Sequence, residues 1–338
     1  MLHAPAEESF MGHSPRTGIT LLSNSIATFL SLLVAGPAWA QPVDPLAVRI
    51  ELEDAERFAE LFQQTGGTPT EMQLLERYLI SGSRALAIFT PYRIIDAPNL
   101  SANINANRSD YSEAITRCLP LIKSTQSDLR SIYLGFRGLL PEKPLPRIAV
   151  VFGAGNSGGT AEPDMQVLGL EVLCRIAPEE TSFRQLMRSF YAHETVHTFQ
   201  QSDDSALKRD YLLTVALSEG TADYIAQLVT GETPDPVRAM WAEANSAMVW
   251  REFGRDLAVM RDPDVSEETK NAAVRRWLHN ADQAPDGWPT ELGYWVGMQI
   301  ASGYVANARD PHTAIRELLV FKDPRLILKN SGIAIPDA

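Results

Sequence analysis

The run His193-Glu194-Thr195-Val196-His197 constrains this chain more than any other stretch. On a helix, two histidines four apart project from one face and can close on a single metal ion, with the intervening Glu beside a metal-held water. A catalytic zinc usually takes three protein ligands and keeps one position for water, so the fold must deliver a third ligand from another element. Histidine is otherwise scarce. Beyond residue 40 only His193, His197, His279 and His312 occur, and half of that supply sits in the one motif.

Residues 1–40 read as a secretory signal peptide: Arg16, an apolar run from Ile26 to Gly36, and a small-x-small ending at Ala38-Trp39-Ala40. The apolar run is too short to span a membrane and no cysteine lies near the cut, so the expectation is an exported protein, periplasmic or secreted, with no integral membrane anchor after cleavage. A net charge of −12 without a basic cluster argues against nucleic acid as a partner. The two cysteines, Cys118 and Cys174, exclude a cysteine-rich zinc module. They either pair or lie buried as separate thiols.

Helical spacing of apolar residues covers Leu46 to Phe62, Met72 to Ile80 and Ile115 to Leu140, with Pro120 kinking or dividing the last. Thr68-Pro69-Thr70-Glu71 marks a helix start. After Pro141 to Pro146 the pattern turns to strand at Ile148–Phe152, then a glycine-rich loop, then a second strand at Gln166–Cys174. From Ser182 onward the chain reads as helix, with stops at Gly231 and Gly332 and starts at Asp310-Pro311 and Asp323-Pro324. This predicts a leader at 1–40, a helical region at 41–146 and a catalytic region with C-terminal helices at 147–338.

The loop Gly153-Ala-Gly155-Asn-Ser-Gly158 matches a dinucleotide fingerprint literally, but that fingerprint needs a helix to open at once toward the pyrophosphate. Here another strand follows, and the loop reads as a hairpin connection.

Thr181 or Ser182 can cap a helix whose apolar face carries Phe183, Leu186, Phe190, His193 and His197, turning both imidazoles inward. On the next helix, about Tyr211 to Thr230, Glu219 and Asp223 share a face. Glu219 is expected to bind the metal, and Asp223 to hydrogen-bond a ligand imidazole and fix its tautomer. Asp203, six residues after His197, is the competing third ligand, but that arrangement wants a sharp turn at a glycine where this chain has Gln200.

His193-Glu194-x-x-His197 followed by Glu219-x-x-x-Asp223 resembles the gluzincin metallopeptidases, the thermolysin-like clan. More narrowly, Gly158-Gly159-Thr160, Glu219-Gly220, Gly293-Tyr294-Trp-Val-Gly297 and Lys322-Asp-Pro resemble bacterial secreted zinc-dependent proteases related to the gliding-motility protein GldB, over about residues 60 to 334. The resemblance implies an α+β, mostly helical fold with a zincin-like core, in which a small antiparallel sheet packs on the His-Glu-x-x-His helix and the N- and C-terminal parts are helical. It implies Zn(2+) held by His193, His197 and Glu219, with Glu194 as general base in hydrolysis of a peptide or protein substrate. Tyr294 is the expected oxyanion donor and His279 a weaker candidate, while the strand from Gln166 would be the edge that pairs with peptide. Two alternatives stand beside this: a catalytically silent envelope or interaction protein on the same fold, and a zinc hydrolase acting on a non-peptide amide.

Overall fold

A computed structural model describes residues 43–335 apart from 178, 202–203, 281–282 and the side chain of Asp204. The leader at 1–40 and the alternative ligand Asp203 therefore lie outside the described residues. The described chain is mostly helical around one small sheet: β1 (Ile50–Glu51), β2 (Arg147–Val151), β3 (Gly159–Glu162) and β4 (Met165–Gly169), in the order β1-β2-β4-β3.

This sheet corrects the expected antiparallel one. It is mixed: β1 runs parallel to β2 and β2 parallel to β4, with Ala149 opposite Val167, and only β3 is antiparallel, with Thr160 opposite Val167. The cause lies in β3, which hides in the stretch read as a glycine loop. The chain leaves β2, travels to the far edge as β3, and returns through Pro163-Asp164 so that β4 fills the gap. Ile148–Val151 and all of β4 are buried, as expected of strands covered on both faces. The same continuous burial hid a second boundary: the strand read at Gln166–Cys174 becomes helix at Leu170, and an all-buried apolar run cannot distinguish the two.

The N-terminal helices grip the sheet through aromatics. The Phe58 ring, from the helix Glu53–Gln64, stacks on Phe152 at 4.5 Å between centroids. The Tyr78 hydroxyl donates to the Phe152 carbonyl at 2.8 Å, and that of Tyr111 to the Gly153 carbonyl at 2.7 Å. The expected helix start near Thr70 is a capping box with Gln73. Cys118 and Cys174 form a disulfide across 56 residues, joining the helical region to the segment after β4.

Three long helices build the site: a histidine helix (Glu180–Phe199), an acidic helix (Tyr211–Thr230) and a tyrosine helix (Leu292–Asn307). The histidine helix is capped two or three residues earlier than at the expected Thr181 or Ser182, with Glu179 as its N-cap and Ser182 closing the box. Its faces also differ from expectation. Phe183, Met187, Tyr191 and Val196 fill the core, whereas Leu186, Phe190, His193 and His197 are only partly buried. The second stripe walls a cleft, and apolar spacing alone does not separate a core face from a cleft wall. The other two helices touch backbone to backbone. A Cβ on Gly297 would sit 1.7 Å from the Ala216 carbonyl oxygen, and one on Gly220 would sit 2.1 Å from the Gly297 carbonyl carbon. This contact brings Tyr294, one turn before Gly297, over the histidine helix.

Candidate metal centre

The histidine helix presents both imidazoles one turn apart, and the acidic helix brings Glu219 against them. His193 Nε2 and His197 Nε2 are 3.0 Å apart, and each lies 3.3 Å from Glu219 Oε2. A tetrahedral zinc with bonds of about 2.1 Å holds its donor atoms about 3.4 Å apart, so this triangle fits such an ion. Among the described residues, His193, His197 and Glu219 are the group whose ligand atoms converge closely enough to hold a metal. The spacer between His197 and Glu219 is taken up partly by a short helix, Asp204–Arg209.

The outer nitrogens decide the tautomers. His193 Nδ1 faces Asp223 Oδ1 at 2.8 Å, and His197 Nδ1 faces Gln200 Oε1 at 2.7 Å. The oxygen facing each Nδ1 accepts a hydrogen bond from its N–H, so that in the neutral imidazole the Nε2 lone pair is the one aimed at the common centre. Two lone pairs and a carboxylate within 3.3 Å repel one another unless a cation joins them.

The titration behaviour says the same. Burial opposes a charge on His193, but hydrogen bonds to Asp223 and Glu219 outweigh it and push its pKa up to about 10. Burial likewise opposes charging of His197, and Glu219 overrides it to raise that pKa. Glu219 is held well below the usual carboxylate range, because the two histidines overcome the effect of its burial. The pocket is thus built to surround positive charge.

Asp223 is itself anchored. Its second oxygen accepts from Arg238 at 3.0 Å, and the Arg238 guanidinium lies 5.0 Å from the Tyr294 ring centroid. Tyr294 stacks on His193 at 5.7 Å with planes 14° apart. Burial first, and Glu219 next, keep its hydroxyl protonated far above the ordinary range, so it can only donate to an anion.

These groups border a cleft of about 1040 Å³ lined by Gly159, Phe190, His193, Glu194, Asp223 and Tyr294 among others. A Cβ on Gly159 would meet Glu194 Oε1 at 3.2 Å, so the edge strand β3 lies directly against that carboxylate. This corrects the assignment of the edge to the strand from Gln166: β4 is internal and β3 is the edge. Every predicted site residue, His193, Glu194, His197, Glu219, Asp223 and Tyr294, meets here, whereas His279 is exposed and is not part of the cleft wall.

Sequence reasoning missed Gln200 and Arg238. Gln200 ties the two helices together: its amide nitrogen donates to the Ser218 carbonyl at 2.8 Å, and the Ser218 hydroxyl donates to its Oε1 at 3.1 Å. Its position three residues after His197 was a usable signal. Arg238 follows the helix start Asp235-Pro236, and nothing in its own neighbourhood points to Asp223 fifteen residues earlier.

Residues 48–333 match the family model of the gliding motility protein GldB. No curated protein and no solved structure gives a significant match. The match covers most of the chain, which therefore belongs to the GldB family.

Proposed function

We propose that this member of the GldB family is an exported zinc-dependent metallopeptidase of the gluzincin type on a zincin-like core. The observation that carries the reading is the convergence of His193 Nε2, His197 Nε2 and Glu219 Oε2 beside Glu194, with both Nδ1 atoms engaged elsewhere.

When bound in this triangle, zinc supplies a Lewis acid that polarises a carbonyl and lowers the pKa of water. Glu194, not a member of the triangle, takes the proton as water attacks the carbonyl carbon, and passes it to the departing amine nitrogen as the C–N bond breaks. Tyr294 donates a hydrogen bond from its hydroxyl to the oxyanion. Asp223 and Gln200 hold the imidazoles in the tautomer that keeps Nε2 free. β3, an edge strand beside Glu194, offers its backbone to an extended peptide, which makes a peptide the favoured substrate class.

Export is supported by the disulfide, since such bonds persist in oxidising compartments. Among the described residues no helix is long and apolar enough to cross a membrane. The family label also denotes lipoproteins; with Cys118 and Cys174 joined, a lipid on either is not part of the proposal.

The test compares the purified protein with Glu194→Gln for bound zinc and for cleavage of an unstructured peptide library. Stoichiometric zinc in both, with cleavage only by the unaltered protein, is the expected result. Absence of bound metal from the unaltered protein ends the proposal. Zinc in both without cleavage of any peptide favours the silent envelope protein or the hydrolase of another amide.

A further inference from the structure

The tyrosine helix begins on a strained residue. Its N-cap, Glu291, has φ of +55°, in the left-handed region that costs a residue with a side chain energy and persists only where the surroundings enforce it. An N-cap side chain ordinarily accepts from the first turn of its own helix, but the Glu291 carboxylate makes no such bond. It reaches back to the preceding loop instead. Its Oε2 accepts from the His279 amide at 3.0 Å and its Oε1 from the Asn280 amide at 2.9 Å, while its own N–H donates to Asn280 Oδ1 at 2.8 Å. His279, on the other side of this clamp, is also left-handed, with φ of +58°.

The loop that the clamp grips is itself fixed. Asn280 is buried, and its side-chain amide donates to the Arg276 carbonyl at 3.1 Å. The buried Trp277 indole donates to Asp256 at 2.7 Å, and the Trp277 carbonyl accepts from the Gly293 N–H, an unsatisfied donor of the helix start, at 2.9 Å. A Cβ on Gly293 would meet the Leu278 side chain at 2.9 Å. The first turn of the tyrosine helix is therefore held against an anchored loop.

That first turn carries Tyr294, three residues after Glu291, with its ring stacked on His193 at 5.7 Å and the Arg238 guanidinium 5.0 Å from its centroid. The contact at Gly297 sets how close the tyrosine and acidic helices come, but it leaves sliding and rotation at the N-terminal end to be restrained by something else. The clamp supplies that restraint. A misplacement of about 1 Å in a group that must meet the reacting atoms can cost about 100-fold in rate. We propose that Glu291 is a positioning residue, whose grip on His279 and Asn280 holds the Tyr294 ring against His193 and its hydroxyl toward the oxyanion. The proposal rests on the peptidase reading for the role of Tyr294, but part of its test is independent of turnover.

The first measurement is the nuclear magnetic resonance signal of the His193 ring in isotope-labelled protein, which senses the stacked ring of Tyr294. Tyr294→Leu is expected to move it, and Glu291→Gln, which sets an amide NH2 against a backbone N–H, to move it in the same direction. Glu291→Gly tolerates the left-handed backbone while removing both acceptors, so it decides the matter if Glu291→Gln does not fold. The second measurement is peptide cleavage by the zinc-loaded protein. Glu291→Gln is expected to lower kcat about tenfold or more with bound zinc and KM near those of the unaltered protein, and to lower it little further in a Tyr294→Phe background. An unmoved His193 signal in folded Glu291 variants overturns the proposal, as do losses that multiply fully in the double variant, since Glu291 would then act without Tyr294. Loss of zinc together with activity also overturns it, because the clamp would then only hold the fold. If the unaltered protein cleaves nothing, the peptidase reading fails while the His193 signal still decides whether Glu291 places Tyr294.

Discussion

Asp223 shows how the chemistry of one residue sets what its neighbours can do. Its carboxylate accepts a hydrogen bond from Nδ1–H of His193 and neutralises the buried guanidinium of Arg238, so its loss disturbs a proposed ligand and strands a charge together. Asp223→Ala is expected to weaken metal binding about 10- to 100-fold, while Glu219→Ala removes a ligand outright and abolishes tight binding. Both are read by competition with a chelator, and an unchanged affinity in Glu219→Ala with loss in Asp203→Ala would reassign the third ligand. The direction of pH dependence follows from the same contacts. The metal-free site holds a proton on His193 up to a pKa of about 10, so metal must displace that proton at any lower pH. Apparent affinity is therefore expected to fall as pH falls, about tenfold per unit for each proton displaced, and a flat profile between pH 6 and 9 would contradict it. These residues were readable in the sequence because the pairs His193/His197 and Glu219/Asp223 are each one helical turn apart. Arg238 was not, because its partner lies on a different helix and no local spacing encodes that meeting.

At the scale of elements, the site depends on how closely two helices approach. The glycines at 220 and 297 let the acidic and tyrosine helices meet at backbone contact, and this sets the distance from Tyr294 to His193. Gly297→Ala places a methyl against the Ala216 carbonyl, which only separation of the helices can relieve. A loss of about 1–3 kcal/mol in unfolding free energy is expected. If the variant folds, hydrolysis should fall more than zinc content, since the displaced residue is Tyr294 and not a ligand. Gly138→Ala, also helical but with open space around the new methyl, is the control and should be neutral or stabilising by up to about 1 kcal/mol. Denaturant titration of both separates the two cases. Helix ends with side-chain caps, such as Thr70, Asp310 and Asp323, were legible because the capping interaction is local. β3 was not: four residues beginning Gly159-Thr160 carry no apolar alternation, and they become a strand only because β4 offers them an unpaired edge.

For the molecule as a whole, the question is how a helical N-terminal region and the region that carries the candidate metal centre remain one unit. Part of the answer is shared sheet, since β1 precedes the long helical stretch and pairs with β2 after it. The rest includes the bond between Cys118 and Cys174, whose pairing the sequence left open because two cysteines 56 residues apart can meet only if the chain between them folds back. Closing a loop of that length restricts the unfolded chain by an amount worth about 4 kcal/mol in the chain-entropy model. None of His193, Glu194, His197 or Glu219 lies inside the loop it closes. Yet the helix that carries Cys174 also carries Glu171, a buried carboxylate that accepts from the Gly153 and Gly155 amides and so shapes the loop entering β3. Cys118→Ser with Cys174→Ser is therefore expected to lower unfolding stability by several kcal/mol and leave zinc stoichiometry unchanged in the folded protein. Peptide affinity should weaken, because the edge proposed to receive the substrate is held less firmly. Unfolding curves, metal content and calorimetric binding on one preparation resolve these outcomes, and equal stability with and without the bond would show that the shared sheet and the aromatic contacts to it hold the regions together without the bond.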